Sequence, residues 1–228
     1  TMLGGLGDDR YLFYTAVGFE ADSVTELPNE GTDTLDFSGM MTGIFVRLWD
    51  TSVQNVHTGR TLQLNNDWDV ENLTGGSGND TLIGSNKSNI LIGNGGNDNI
   101  IGHGGNDTML GGLGDDRYFF YQALCTHVTL VTNIPLESSV TPDSSRKIPG
   151  VFVRLWATSV QNVHPGRTLQ LNNGWDVENV SGGSGNDTLI GSNNSNTLIG
   201  NGGNDIIIGH GGNDTMLGGQ GDDRYFFY

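Results

Sequence analysis

From Gly75 the chain reads GGSGNDTLI, GSNKSNILI, GNGGNDNII, GHGGNDTML and GGLGDDRYF, rows of nine residues that begin at 75, 84, 93, 102 and 111. From Gly182 it reads GGSGNDTLI, GSNNSNTLI, GNGGNDIII, GHGGNDTML and GGQGDDRYF at the same spacing, and Gly4 to Leu12 is one further row. In every row six turn-forming residues precede three strand-forming ones. The pattern predicts a short strand closing each row and a sharp bend after it, with glycine supplying backbone angles closed to other residues. Two rows then make an eighteen-residue coil with two strands and two loops, and stacked coils form two parallel sheets. Position eight (Leu82, Leu91, Ile100, Met109, Tyr118) is expected to point inward and fill a thin core, so a row is stable only beside its neighbours. Strand alternation turns position nine outward: Ile83, Ile92, Ile101, Leu110 and Phe119, then Ile190, Ile199, Ile208, Leu217 and Phe226. Such apolar stripes call for cover, either by the connecting segments or by neighbouring chains or periods, which makes self-association an expectation.

A longer period encloses the short one. TMLGGLGDDRYLFY at Thr1 returns as TMLGGLGDDRYFFY at Thr108 and as TMLGGQGDDRYFFY at Thr215, an offset of 107 residues each time. The chain starts and stops inside the same motif and reads as a window on a longer tandem array. It divides into the end of a preceding array (1–14), a β-rich connector (15–74), a first array (75–121), a second connector (122–181) and a second array (182–228). The connectors hold short alternating strands such as GIFVRL and RTLQL bounded by turn residues. Because 107 is close to six eighteens, the solenoid is a candidate to run on through them; separate rolls on different axes are the alternative. Residues 122–148 depart from the first connector, and similarity resumes at Gly150 without a change in length, the pattern of ordinary divergence or of a compensated frameshift.

Composition narrows the function. Glycine supplies 37 of 228 residues, about twice the usual share, and with Asp it argues against helices. The formal charge is −16, carried by 20 Asp and 6 Glu. A nucleic-acid binder needs a basic face, and no run of 18 apolar residues offers a membrane span. The glycines lack the period of three that collagen requires. Cys125 is the only cysteine, so no internal disulfide forms. The first residues lack the basic and apolar stretches of a signal peptide.

The acids fall in phase with the coils. Rows 75, 93 and 111 share one edge, which stacks Asp80, Asp98 and Asp116 about 4.8 Å apart. Asp187, Asp205 and Asp223 repeat that column, and Asp9 ends an earlier one. Carboxylates so close repel unless a hard cation lies between them, and Ca²⁺ takes six to eight oxygens from carboxylates and backbone carbonyls in flexible geometry. On the other edge Asn89 and Asn196 replace the aspartate opposite Asp107 and Asp214, and Lys87 adds positive charge in the first array. Sites there are expected to be weaker, weakest in the first array. Two strong sites and one weak site per array give six ions, which would bring the charge from −16 to about −4 by simple addition.

The tandem rows resemble the RTX family, secreted repeat proteins built on the nonapeptide G-G-x-G-x-D-x-U-x, with U a large apolar residue. The resemblance implies an all-β parallel β-roll or β-solenoid, calcium as the bound ion, the same aspartate ligands, and a secreted or cell-surface location. The connectors also look like segments that join RTX arrays in large bacterial surface proteins.

Other candidate chemistry is thin. Asp67, Asp69 and Glu71 alternate as if on one strand face, but Gly174 replaces Asp67 in the second copy. His57 and His164 read as packing or surface residues, and His103 and His210 as exposed ones. The four tryptophans, Trp49, Trp68, Trp156 and Trp175, read as connector core. No nucleophile elbow, zinc-protease helix or P-loop is present, so the expectation is a non-enzyme. The leading function is a calcium-dependent structural region of an adhesin, matrix or filament protein. The alternative is the export and folding module of a secreted toxin, protease or lipase whose active domain lies outside this chain. An ice-binding ladder is disfavoured, because position three carries Ser, Asn, Gly, Gly and Leu in turn.

Overall fold

A computed structural model describes residues 1–15, 18–27, 31–65, 69–119 and 177–228, and between them the backbone of strands His127–Thr132, Thr141–Asp143, Phe152–Arg154, Gln161–His164 and Arg167–Leu171. Asp67, Trp68, Cys125, Trp156, Gly174 and Trp175 lie outside the described residues, as does most of 122–148. The described chain is strand and loop with no helix, and therefore has no helix long and apolar enough to cross a membrane.

Within the first array the chain alternates between two parallel sheets in a register of eighteen. Thr81 pairs with Asn99 and Asn99 with Arg117 on one side, and Ile90 pairs with Thr108 on the other. The all-β parallel roll follows from this alternation. Position eight forms the core: Leu82, Leu91, Ile100 and Tyr118 are 0% exposed, as are Leu189, Leu198 and Ile207 in the second array. Each such side chain contributes about 1.5–3 kcal/mol on burial, and a row alone has nothing to bury it against.

Position nine departs from the expected outward stripe. Ile83, Ile92, Leu110, Phe119, Ile190, Ile199 and Ile208 are half-buried, and Ile101 is buried. A coil's nearest neighbours stand one strand spacing away on either side, and their side chains shield it. Within the two arrays only the last coil has exposed position-nine residues, Leu217 and Phe226, and Leu12 of the row at Gly4 is exposed as well. The stripe is thus largely covered within the chain.

The loops bend through left-handed residues at positions two and four. Position two carries Asn94, His103, Asn201 and His210 at φ of 75°, 67°, 74° and 64°, so the two histidines are half-buried turn residues rather than exposed ones. Position four admits no side chain where it bends: Gly105 has φ +93°, and a Cβ there would overlap the Lys87 carbonyl of the coil before.

The connectors are part of the sheets, and they change which sheets face each other. Sheet 1 holds Met2–Leu3, Glu20–Thr25, Arg60–Leu64 and Gln54–His57 in that order. Sheet 2 runs Arg10–Tyr14, Thr34–Gly39, Asn72–Thr74, Ile90–Gly95, Thr108–Leu113, His127–Thr132, Arg167–Leu171 and Gln161–His164. Sheet 3 opens at Phe45–Arg47 and continues through Thr81–Ile83, Asn99–Ile101, Arg117–Phe119, Thr141–Asp143, Asn179–Ser181, Thr197–Gly202 and Thr215–Gln220. Sheet 4 holds Phe152–Arg154, Thr188–Ile190, Ile206–Ile208 and Arg224–Phe226.

Before the first connector the chain alternates between sheets 1 and 2, in the first array between 2 and 3, and in the second array between 3 and 4. Each connector makes the exchange in two acts. A short strand, Phe45–Arg47, founds the new sheet and pairs with Thr81–Ile83. An antiparallel hairpin, Gln54–His57 with Arg60–Leu64, then closes the old one. The coils that do this are long: Thr34 pairs with Asn72 and Glu20 with Arg60. Neither an unbroken run of eighteen-residue coils nor two separate rolls describes the result.

The closing hairpin is anchored by Arg60, which is 6% exposed. It ion-pairs with Glu20 and Asp22, donates to the Tyr14 carbonyl at 2.9 Å, and stands 5.4 Å over the Phe13 ring. Phe13 in turn stacks on Phe37 with centroids 4.3 Å apart. His57 Nε2 and Thr42 Oγ1 share a hydrogen bond of 2.7 Å at the surface. Trp49 is not core: it is 41% exposed, beside Arg47 and edge-on to His103.

Candidate metal centre

Position six directly precedes each strand, so every coil places it at the same turn. The structure brings Asp80, Asp98 and Asp116 into one column by direct hydrogen bonds. The Ile44 amide donates to Asp80 Oδ1 at 2.9 Å, the Asp80 amide to Asp98 Oδ1 at 2.8 Å, and the Asp98 amide to Asp116 Oδ1 at 3.0 Å. The second array repeats the ladder: the Asp187 amide donates to Asp205 Oδ1 at 2.8 Å and the Asp205 amide to Asp223 Oδ1 at 2.9 Å. Position five forms a parallel outer ladder, with the Asn97 amide on Asn79 Oδ1 and the Asp115 amide on Asn97 Oδ1. The position-six side chains are deeply set: Asp80 and Asp116 are 0% and Asp98, Asp187 and Asp205 1% exposed.

One oxygen of each aspartate is thus used by backbone. The second is where the rows differ. Asp80 Oδ2 accepts the Gly76 amide and Asp187 Oδ2 the Gly183 amide, each at 2.7 Å. Asp98, Asp116 and Asp205 have a buried Oδ2 with no hydrogen-bond partner. A buried anionic oxygen without a donor is costly. Position one shows what surrounds these atoms. A Cβ at Gly93 would overlap both Asp98 Oδ2 and the Gly111 carbonyl of the next coil, and one at Gly200 would overlap Asp205 Oδ2 and the Gly218 carbonyl. Carboxylate and carbonyl oxygens converge on a space that only glycine leaves free. That donor set, all hard oxygen and net negative, fits Ca²⁺.

The other edge satisfies itself. The Asn89 amide donates to Asp107 Oδ1 at 3.0 Å, and Asn89 Oδ1 accepts the Ser85 amide at 2.7 Å. Asn89 Nδ2 donates to the Glu71 carbonyl at 2.8 Å. In the second array the Asn196 amide donates to Asp214 Oδ1 at 2.9 Å and Asn196 Oδ1 accepts the Ser192 amide at 2.7 Å. An amide side chain carries its own donor, so it closes the turn without a cation. Asp107 and Asp214 therefore face a neutral amide whose side-chain oxygen is already engaged.

Asp9 is followed in its column by acids of the connector. Its amide donates to Asp33 Oδ1 at 2.9 Å, and the Asp33 amide donates to Glu71 Oε2 at 3.0 Å. The turn before sheet 2 therefore stacks Asp9, Asp33, Glu71, Asn89 and Asp107. Asp9, Glu26 and Asp33 each place a carboxylate oxygen within 4.8 Å of the others, and Tyr11 donates to Glu26. Burial raises the Asp33 carboxyl above its ordinary range, with the charges of Glu26, Glu71 and Asp9 adding to it. Glu26, Asp33, Asp69 and Glu71 escaped the nonapeptide frame, although a signal was present: Asp33-Thr34-Leu35 repeats Asp80-Thr81-Leu82. Asp69 and Glu71 lie in the loop before Asn72–Thr74 rather than on a strand face.

Burial also sets the titration of the main column. It pushes Asp80 and Asp116 up to about 6 and, with the charges of Asp80 and Asp116 adding, Asp98 up to about 8, all from 3.8. A carboxyl raised in the folded state holds a proton that the unfolded chain has released, so metal-free stability is present at acid pH and lost as pH rises through the folded values. In chelator the chain should therefore hold more strand at pH 5 than at pH 8, while calcium affinity moves the other way because protons compete for the same oxygens. Circular dichroism across pH 4 to 8 in chelator checks this. A metal-free fold that weakens as pH falls through that window contradicts it.

The family model of the RTX calcium-binding nonapeptide repeat matches in four copies, at residues 67–86, 83–118, 172–198 and 190–225. No curated protein matches the chain. The matched stretches are the rows whose position-six turns form the two ladders, and both arrays of this chain belong to the RTX calcium-binding nonapeptide-repeat family.

Proposed function

We propose that the chain is a calcium-folded structural region of a large secreted or cell-surface protein, a spacer or filament element rather than a catalyst. The observation that carries this reading is the set of buried, donorless carboxylate oxygens at Asp98, Asp116 and Asp205, each in a column one coil apart. Asp80, Asp98 and Asp116, and Asp187, Asp205 and Asp223, would hold the ions together with the position-one glycine carbonyls. Asp107 with Asn89, and Asp214 with Asn196, would hold ions more weakly. Asp9, with Glu26 and Asp33, would serve the connector. Bound ions would neutralise like charges between coils, so calcium outside the cell would license stacking.

Sheets that pass from one period into the next favour a continuous rod over a string of loosely tethered modules. Small-angle scattering in millimolar calcium is expected to give an elongated particle, longer by a constant increment for each 107-residue period added to the chain. A particle whose longest dimension fails to grow with added periods rules out the spacer role.

A further inference from the structure

Lys87 occupies position four of the row that opens at Gly84. Its ammonium donates to Glu71 Oε1 at 2.9 Å and lies 3.7 Å from Asp69 Oδ1. Both acids belong to the coil before, in the register that pairs Ile90 with Asn72; Asp69 stands at position four of that coil and Glu71 at position six. Their side chains are 9% and 15% exposed, that of Lys87 32%. Glu71 has its remaining contacts filled: Oε2 accepts the Asp33 amide and its carbonyl accepts Asn89 Nδ2. The column before sheet 2 thus carries a positive charge of its own at this one junction. Lys87 is the only lysine or arginine in the six-residue loops of the two arrays.

The repeat supplies its own comparison. One period later the acids recur as Asp176 and Glu178, but Lys87 becomes Asn194. We propose that the Lys87 ammonium is a tethered cation standing in for a divalent ion between the last connector coil and the first array, so that this junction docks without metal. A cation fixed to the chain meets the two carboxylates at every calcium concentration, at the cost of ordering one side chain. The connector would then present a formed edge, Asn72–Thr74, on which the array's calcium-dependent coils stack. The role of Lys87 rests on the calcium reading of the columns only for the ion it replaces.

The test uses the full chain and Lys87→Asn, the residue the second copy carries. In chelator at pH 5, amide exchange at Asn72–Thr74 and Ile90–Ile92 should be about tenfold faster in the variant than in the parent, as expected for loss of a charged hydrogen bond. In saturating calcium the variant should bind one more ion per chain by equilibrium dialysis, and Lys87→Asn with Glu71→Gln should return to the parent's number. Unchanged exchange together with an unchanged ion count overturns the proposal. If Lys87→Asn does not fold in chelator while the parent does, the metal-free role stands, and the ion count in calcium decides the substitution. A parent that binds no calcium at all overturns the reading of the columns instead, because the exchange comparison contains no metal.

Discussion

Chelation at pH 7.5 is expected to remove the strand signature from the circular dichroism of this chain, and millimolar calcium to restore it. Ordering costs roughly 1–2 kcal/mol per residue in backbone entropy, and more where glycine is frequent. Against this each nine-residue row before the last coil sets one buried position-eight side chain, such as Leu82 or Leu91, and a handful of ladder hydrogen bonds. Three carboxylates in the first array's main column are 0%, 1% and 0% exposed, and ionising them in place without a cation is unfavourable. Magnesium should restore the fold poorly, since it demands a tight octahedral shell and releases water reluctantly. A spectrum that does not change on adding chelator would remove the basis for calcium-driven folding.

Asp98→Ala and Asp107→Ala should separate sharply, although both remove a similar hydrogen bond. Asp98 accepts the Asp80 amide at 2.8 Å, and Asp107 accepts the Asn89 amide at 3.0 Å. Either alanine leaves one buried amide unpaired, at a cost of about 1–3 kcal/mol. What differs is the company each carboxylate keeps. Asp98 lies between Asp80 and Asp116 and has a donorless oxygen, so it serves two candidate ion positions. Asp107 faces the self-satisfied Asn89. Asp98→Ala should raise the calcium midpoint for folding by about tenfold or more, since affinity follows ligand charge, and Asp107→Ala by much less. Equal midpoint shifts would show that the two edges do not differ in calcium binding.

The arrays were legible because their period is local. Eighteen residues return the chain to its own neighbour, so the spacing alone placed Leu82 inside and stacked Asp80, Asp98 and Asp116. The connectors were not legible in the same way. Phe45–Arg47 finds Thr81–Ile83 and Glu20–Thr25 finds Arg60–Leu64 across long, irregular coils, and nothing in a nine-residue frame says which sheet such a strand joins. Position nine misled for a related reason: alternation gives the direction of Ile83 but not the shielding that adjacent coils provide. Lys87 read as a charge that weakens a site. Its partners, Asp69 and Glu71, belong to the connector, and only the stacking of that coil against the row brings them to it. His103 and His210 looked exposed because a left-handed turn at position two leaves no trace in hydrophobic periodicity.

The exchange of sheets at each connector means that a period has no edge wholly its own. Thr108–Leu113, the last strand that the first array gives to sheet 2, pairs with His127–Thr132 of the second connector, and Arg117–Phe119 pairs with Thr141–Asp143. The last strands of each array are therefore the template on which the next connector pairs, and such a chain can order from one period to the next, turn by turn. Ordering in that sequence keeps the unpaired edge short and at the newest turn. The same continuity carries damage: a lesion that melts one array withdraws the template from its successor, so loss of order spreads along the chain instead of stopping at a boundary.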